Sequence, residues 1–235
     1  MGADADRRAL LRGLRDILRD APRELTVTYM DVPPMDPSAP AGARLAAVWA
    51  DADPAALERT LAPVIDLDGI VGDVSTPAYR DILMDDPRPA DPDAVVPRFL
   101  GGNGLFRELD DERIDRLLEF RAAHQFSVLF LRSMGGAFGD VAQEDTAFPG
   151  RDATWFVLAG GFDIPGMIDD ATRAAILAET DALFEGRLAQ YGNFLDSERP
   201  EVVRAMFTEE GYERLRGLKA QWDPQNLFRR NHNIV

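Results

Sequence analysis

A run of strict alternation does most to fix what this chain can fold into. Leu25, Val27 and Tyr29 interleave with Thr26, Thr28 and Met30, the pattern of a strand with one buried face. Just before it the period changes. Leu10, Leu11, Leu14, Ile17 and Leu18 fall on one helical stripe between Arg7 and Asp20, and Ala21-Pro22 ends the segment. Asp16 and Asp20 interleave with its arginines, so it reads as a packed surface helix rather than a membrane-docking one. A proline-rich loop from Pro33 to Gly42 leads to a second strand candidate, Leu45 to Ala50. Asp53 caps a helix from Pro54 to Leu61, and a further strand is expected around Gly69 to Val74. Strand, loop, strand, helix, strand predicts an α+β fold, a mainly antiparallel sheet flanked by helices in which the first two strands can pair.

Further along, Ser75 to Tyr79 turns into a short helix, and Asp85 to Asp93 reads as an irregular surface loop. Pro97 to Gly102 leads to Leu109. Asp110, Asp111 and Glu112 then open a helix carrying Ile114, Leu117 and Leu118. With no histidine nearby, these three acids complement a helix N-terminus better than they ligate a metal. Phe126 to Leu131 is a buried strand candidate. Met134-Gly135-Gly136-Ala137-Phe138-Gly139 follows; a phosphate cradle there would need a helix N-terminus next, and none is evident, so a tight turn between strands is expected. Trp155 to Ala159 is the next strand, closed by Gly160-Gly161. A long helix from Ile168 to Gln190 buries Ile176, Leu177, Leu183, Phe184 and Leu188.

The net charge of −15 argues against a nucleic-acid or anionic-membrane partner, because either would need a basic surface. There is no cysteine, which removes disulfides, thiolate metal sites and thiol nucleophiles and fits a cytoplasmic protein. Neither histidine, His124 or His232, has metal-ligand spacing around it.

The most informative stretch runs from Tyr191 to Ile234. Tyr212, Leu215, Leu218 and Trp222 share one helical face; Thr208 caps its start and Lys219 sits near its end. Asp223-Pro224 stops it, with Asp223 able to cap the turn that follows. The order Tyr191-Gly192-Asn193-Phe194, then Tyr212-Glu213-Arg214-Leu215-Arg216-Gly217-Leu218-Lys219, then Asp223-Pro224-Gln225-Asn226-Leu227-Phe228, then Asn231-His232-Asn233-Ile234 resembles the C-terminal segment of berberine-bridge-enzyme-like FAD-linked oxidases. Ala21 to Leu25, Leu61-Ala62-Pro63, Gly135-Gly136-Ala137 and Asp145 to Ala153 are similar to upstream segments of the same family.

The resemblance implies residues 1–189 as a substrate-binding α+β domain, residues 190–235 as a C-terminal segment packed on it, and an N-terminal FAD-binding domain absent. It implies FAD as cofactor and a two-electron oxidation of an alcohol, sugar or amine, with hydride passing to the flavin. It also implies a small-molecule substrate, and as partner a separately encoded FAD-binding domain or a second copy of the chain. Tyr191 becomes the candidate catalytic residue, and Tyr191 and Asn193 the candidate flavin-facing pair; the alternative is that both merely anchor the last helix. Arg151 is expected to pair with a buried carboxylate. The family's histidine in Phe-Pro-His-Arg is Gly150 here, and Phe156 to Ala159 carry no titratable base. The competing expectation is a non-catalytic binding or self-associating module. On either reading the face around Tyr191, Phe194 and Trp155 should be an exposed apolar patch or a dimer contact.

Overall fold

The computed structural model describes residues 6–33, 42–72, 74–82, 97–195 and 199–235. Most of the Pro33–Gly42 loop and all of the Asp85–Asp93 loop lie outside them. Helix α1 (Arg7–Arg19) starts on Asp6, whose carboxylate accepts from the Arg8 and Ala9 amides, and buries Leu10, Leu11 and Leu14. Strands β1 (Leu25–Asp31) and β2 (Ala43–Trp49) pair antiparallel. Helix α2 (Pro54–Ile65) is capped by Asp53 and runs through Pro63, past the expected end at Leu61.

No strand forms around residues 69–74 among the described residues there. Val71 is exposed and the chain makes no ladder, so apolar composition without a pairing partner is not enough. After the short helix α3 (Tyr79–Ile82), the chain instead forms β3 (Arg98–Phe106). Helix α4 (Asp111–Ala123) follows, capped by Asp110 as its acidic start predicts, and ends at His124. Strands β4 (Ser127–Ser133) and β5 (Trp155–Asp163) come next. The link between them is no tight turn: it runs from Met134 to Thr154 through 3-10 turns at Gly136–Phe138 and Gln143–Asp145. Helix α5 (Asp170–Leu183) is shorter than expected, and Leu177 is exposed on it. Helices α6 (Pro200–Arg204) and α7 (Glu209–Trp222) complete the chain.

The sheet is antiparallel throughout, in the order β2-β1-β4-β5-β3. Alternation gives it two faces. One carries Tyr29, Leu129, Leu131, Val157 and Phe106 into a core with α1, α4 and α5. Phe106 stacks on Phe184, with the Arg113 guanidinium 4.0 Å from the Phe106 centroid. Arg113 also donates to the carbonyls of Leu183 and Glu185, satisfying free acceptors at the end of α5. Asp31, 1% exposed at the end of β1, lies 3.1 Å from Arg7 and 3.0 Å from Arg121. Burial, then the Asp31 charge, pushes the Tyr29 hydroxyl upward, so it stays neutral in this core.

Candidate functional site

The other face of the sheet carries no helix from the α1, α4, α5 layer. Phe99, Gly101, Asn103 and Leu105 of β3 lie beside Phe162, Gly160, Leu158 and Phe156 of β5. On β4, Phe130 and Arg132 continue the surface, paired in register with Leu158 and Phe156. Gly101 and Gly160 oppose each other so closely that a Cβ on either would meet backbone atoms at 2.4–2.7 Å. Only glycine fits this pair.

Residues 188–195 cross this face. Leu105 donates to the Ala189 carbonyl at 2.9 Å, and Leu188 donates back to Leu105 at 2.8 Å, which covers part of the outer edge of β3. Beyond this bridge, fully buried Asn103 grips Tyr191 by its backbone. The Tyr191 N–H donates to Asn103 Oδ1 at 2.7 Å, and Asn103 Nδ2 donates to the Tyr191 carbonyl at 3.0 Å. Asn103 satisfies both backbone groups where the chain leaves the sheet edge. Tyr191 then enters a 3-10 turn, Gly192–Phe194.

That turn sets two rings on the sheet. Tyr191 lies 5.3 Å from Phe148, 5.6 Å from Phe194 and 6.2 Å from Phe156, between ring centroids. Phe194 lies 5.4 Å from Phe156, and Phe130 6.0 Å from it. The result is one aromatic band, in the edge and tilted arrangements such rings prefer. Asn193 does approach Tyr191: its Nδ2 donates to the phenol oxygen at 2.8 Å. Phe194 is 46% exposed, so the band is open to solvent or a partner there.

Each end of the band carries a guanidinium. Arg151 lies 5.2 Å from the Phe148 centroid and 5.1 Å from that of Phe138, and donates to the Thr146 hydroxyl at 2.8 Å. The buried carboxylate expected to pair with it is not found among its contacts; aromatic faces and neutral oxygens hold it instead. Arg132 lies 5.1 Å from the Phe130 centroid. Gly150 has φ +70 and packs on Leu105, so the histidine's place is taken by a left-handed turn residue.

Trp155 does not join this surface. It is 5% exposed in the helix-side core, opposite Ser133 and Phe106 in register. The expected patch around Tyr191 and Phe194 therefore uses Phe156 and Phe130. His124 and His232 have separate partners: His124 meets Glu179 at 2.7 Å, and His232 Nε2–H donates to the Gly192 carbonyl at 2.9 Å. Among the described residues no cluster of three metal-ligating side chains occurs, and no helix is long and apolar enough to cross a membrane.

The C-terminal segment packs as its sequence order requires. Thr208 accepts from Gly211 at 3.0 Å, and Tyr212 is buried, its hydroxyl donating to the Val235 carbonyl at 2.9 Å. Asp223 pairs with Lys219 and accepts from the Leu227 and Phe228 amides. Residues 190–235 match the family described as Berberine and berberine like. Leu218 and Trp222, half of the shared helical face, and Leu227 and Phe228 beyond the helix are exposed, while Tyr212 is buried.

The whole chain has the fold of about half of several larger oxidases. A chitooligosaccharide oxidase matches at TM-score 0.72 and 16% identity, over 97% of this chain and 52% of the other. A variant of berberine bridge enzyme matches at 0.69 and 15%, over 97% and 52%. The glucooligosaccharide oxidase of Acremonium strictum, described with a cysteinyl- and histidyl-linked FAD, matches at 0.65 and 19%, over 93% and 50%. No curated protein matches the sequence. The chain thus spans about half the length of the solved structures it resembles.

Asn103 and the Arg132–Phe130 pair escape a reading by sequence alone. The one available signal for Asn103 is a lone amide within a run of glycine and apolar residues, where a buried polar side chain must have a partner.

Proposed function

We propose that this chain provides the substrate-facing portion of an FAD-linked oxidoreductase that carries out two-electron oxidation of an alcohol, sugar or amine. In this reading residues 1–189 are the substrate-binding domain and residues 190–235 dock it onto the domain that holds the flavin. One observation carries it: an open aromatic band on the sheet, with Tyr191 held at its centre, its backbone by Asn103 and its phenol oxygen by Asn193.

The residues present fit one side of a planar ring. Phe148 and Phe194 offer partly exposed apolar area above buried Phe156, and Tyr191 and Asn193 offer polar groups beside it. The dinucleotide's phosphates find no match among the described residues: the glycine turn at 135–136 opens only a three-residue 3-10 turn. The flavin's pyrophosphate is therefore assigned to residues other than the described ones. When bound, the flavin supplies the two-electron acceptor. Tyr191 is the acid–base side chain on the band; in its phenolate form it would accept the proton that leaves the substrate hydroxyl or amine. Asn193 fixes the direction of the phenol oxygen.

The second reading, a non-catalytic module that pairs with another copy, is favoured by the exposed Leu218, Trp222, Leu227 and Phe228. Light scattering separates the two: a concentration-dependent dimer abolished by Trp222→Ser supports the module. For the oxidase reading, FAD is titrated with the chain alone and with the chain plus an FAD-binding domain of this family. Substrate turnover, lost in Tyr191→Phe, is expected only in the mixture, and a perturbed flavin spectrum in at least that sample. An unperturbed spectrum in both samples would overturn the reading.

A further inference from the structure

The chain has 41 Asp and Glu, yet among the described residues no strand acid points to the open sheet face. The two strand-end carboxylates, Asp31 and Asp163, belong to the helix side, where Arg121 and Arg173 pair with them. In a protein of net charge −15, an incoming anion thus meets no strand carboxylate on this face.

Arg132 gives that face a positive centre. It sits on β4, an interior strand of the sheet, so it does not serve to protect an edge. Its Nε donates to the Thr28 hydroxyl at 3.2 Å, which steers the guanidinium fork. No carboxylate among the described residues pairs with it, whereas Arg8, Arg12, Arg15, Arg121 and Arg173 all pair with aspartates. Its cross-strand neighbour is Phe156, the ring that Tyr191 and Phe194 pack against. A guanidinium fork left without an acid beside an aromatic floor is suited to bidentate recognition of a carboxylate attached to a ring.

We propose that the substrate of this face is an anionic one, a small aryl carboxylate that also bears the oxidisable hydroxyl, with its carboxylate held by Arg132 and its ring on the aromatic band. The proposal rests on the substrate-facing reading above and deepens it. The carboxylate is unchanged in the reaction; it fixes which end of the molecule turns toward Tyr191.

The test is calorimetric titration of the purified chain with para-hydroxymethylbenzoate, its neutral counterpart benzene-para-dimethanol, and lumiflavin, an uncharged flavin ring. The wild type is expected to bind the carboxylate about tenfold tighter than the diol, the scale of a charge-assisted pair at a partly open site. Arg132→Gln is expected to bring the two to equal affinity, leaving diol and lumiflavin binding unchanged, and Arg132→Lys to keep part of the preference. Added salt should weaken only the carboxylate. Arg132 makes a single hydrogen bond to Thr28, so matched thermal melts will show that the variants are folded. Diol and lumiflavin binding without a carboxylate preference, or a preference that survives in Arg132→Gln, overturns the anionic substrate alone. Failure of all three ligands to bind overturns it together with the reading on which it rests.

Discussion

Replacing Asn103 by leucine should loosen the site without emptying the core. The side chain is fully buried and makes two hydrogen bonds to one residue's backbone, at 2.7 and 3.0 Å. Leucine has similar bulk but can neither accept from the Tyr191 N–H nor donate to its carbonyl. Losing both bonds and leaving two half-buried groups short of a partner costs about 2–4 kcal/mol. For a chain of this size each kcal/mol moves the melting temperature by about 2–4 °C, so a fall of roughly 4–16 °C is expected. Far-UV circular dichroism during heating would measure it. Amide exchange at Tyr191 and Asn193 should quicken more than exchange in β4 and β5, because the clamp holds the crossing segment and not the sheet. A shift below about 1 kcal/mol with unchanged exchange at Tyr191 would refute the clamp, since unpaired buried groups on that scale are not cost-free.

Asp31→Ala strips Arg121, whose side chain is 15% exposed, of its carboxylate, and should lower stability by about 3–5 kcal/mol in urea denaturation; a loss under about 1 kcal/mol would sink the assignment of that pair as a structural anchor. Gly150→His, which restores the family's residue type, should destabilise by roughly 1–2 kcal/mol from the left-handed backbone alone, with the Leu105 contact adding to it; a rise in melting temperature would contradict this. The Lys219 ammonium, then the Leu227 and Phe228 amides, hold the Asp223 carboxyl below the ordinary carboxylate range. A carboxyl depressed by folding contributes stability that is fully present above its unfolded range and is lost as pH falls through its folded value. Acid titration followed at the Trp222 indole signal should therefore show the C-terminal turn releasing, and Asp223→Asn should remove that dependence.

Local chemistry made parts of this structure readable in advance. The stripe of α1, the alternation of β1, the acidic cap of α4 and the Asp223 stop of α7 each depend on residues within a turn or two of one another. Strand β3 was missed for the opposite reason. Gly101, Gly102 and Gly104 erase its alternation, and their need becomes visible only beside Gly160 and the rings of Phe184 and Phe106. Trp155 was expected on the wrong face because the side a strand residue takes depends on register, and a shift of one position inverts every side chain. The face of α7 shows a further limit: helical spacing predicts which residues lie together, not what covers them. Tyr191 and Asn193 were legible as a pair through their motif, but the residue that fixes them lies 88 positions away, and nothing in the motif points to it.

That distance has a kinetic consequence. β1 must find β4 across a separation of more than one hundred residues, as the Thr28–Arg132 contact shows. Only when β5 has closed on β4 and β3 on β5 is Asn103 in position for Tyr191 on the completed face. During synthesis the hairpin of β1 and β2 therefore waits, half-covered, while the rest of the sheet emerges, and the aromatic band is among the last features to form. Pairings this distant are slow to close. The part of the molecule assigned to chemistry is thus a late reporter of folding: a newly made chain that exposes a competent band has already completed its sheet.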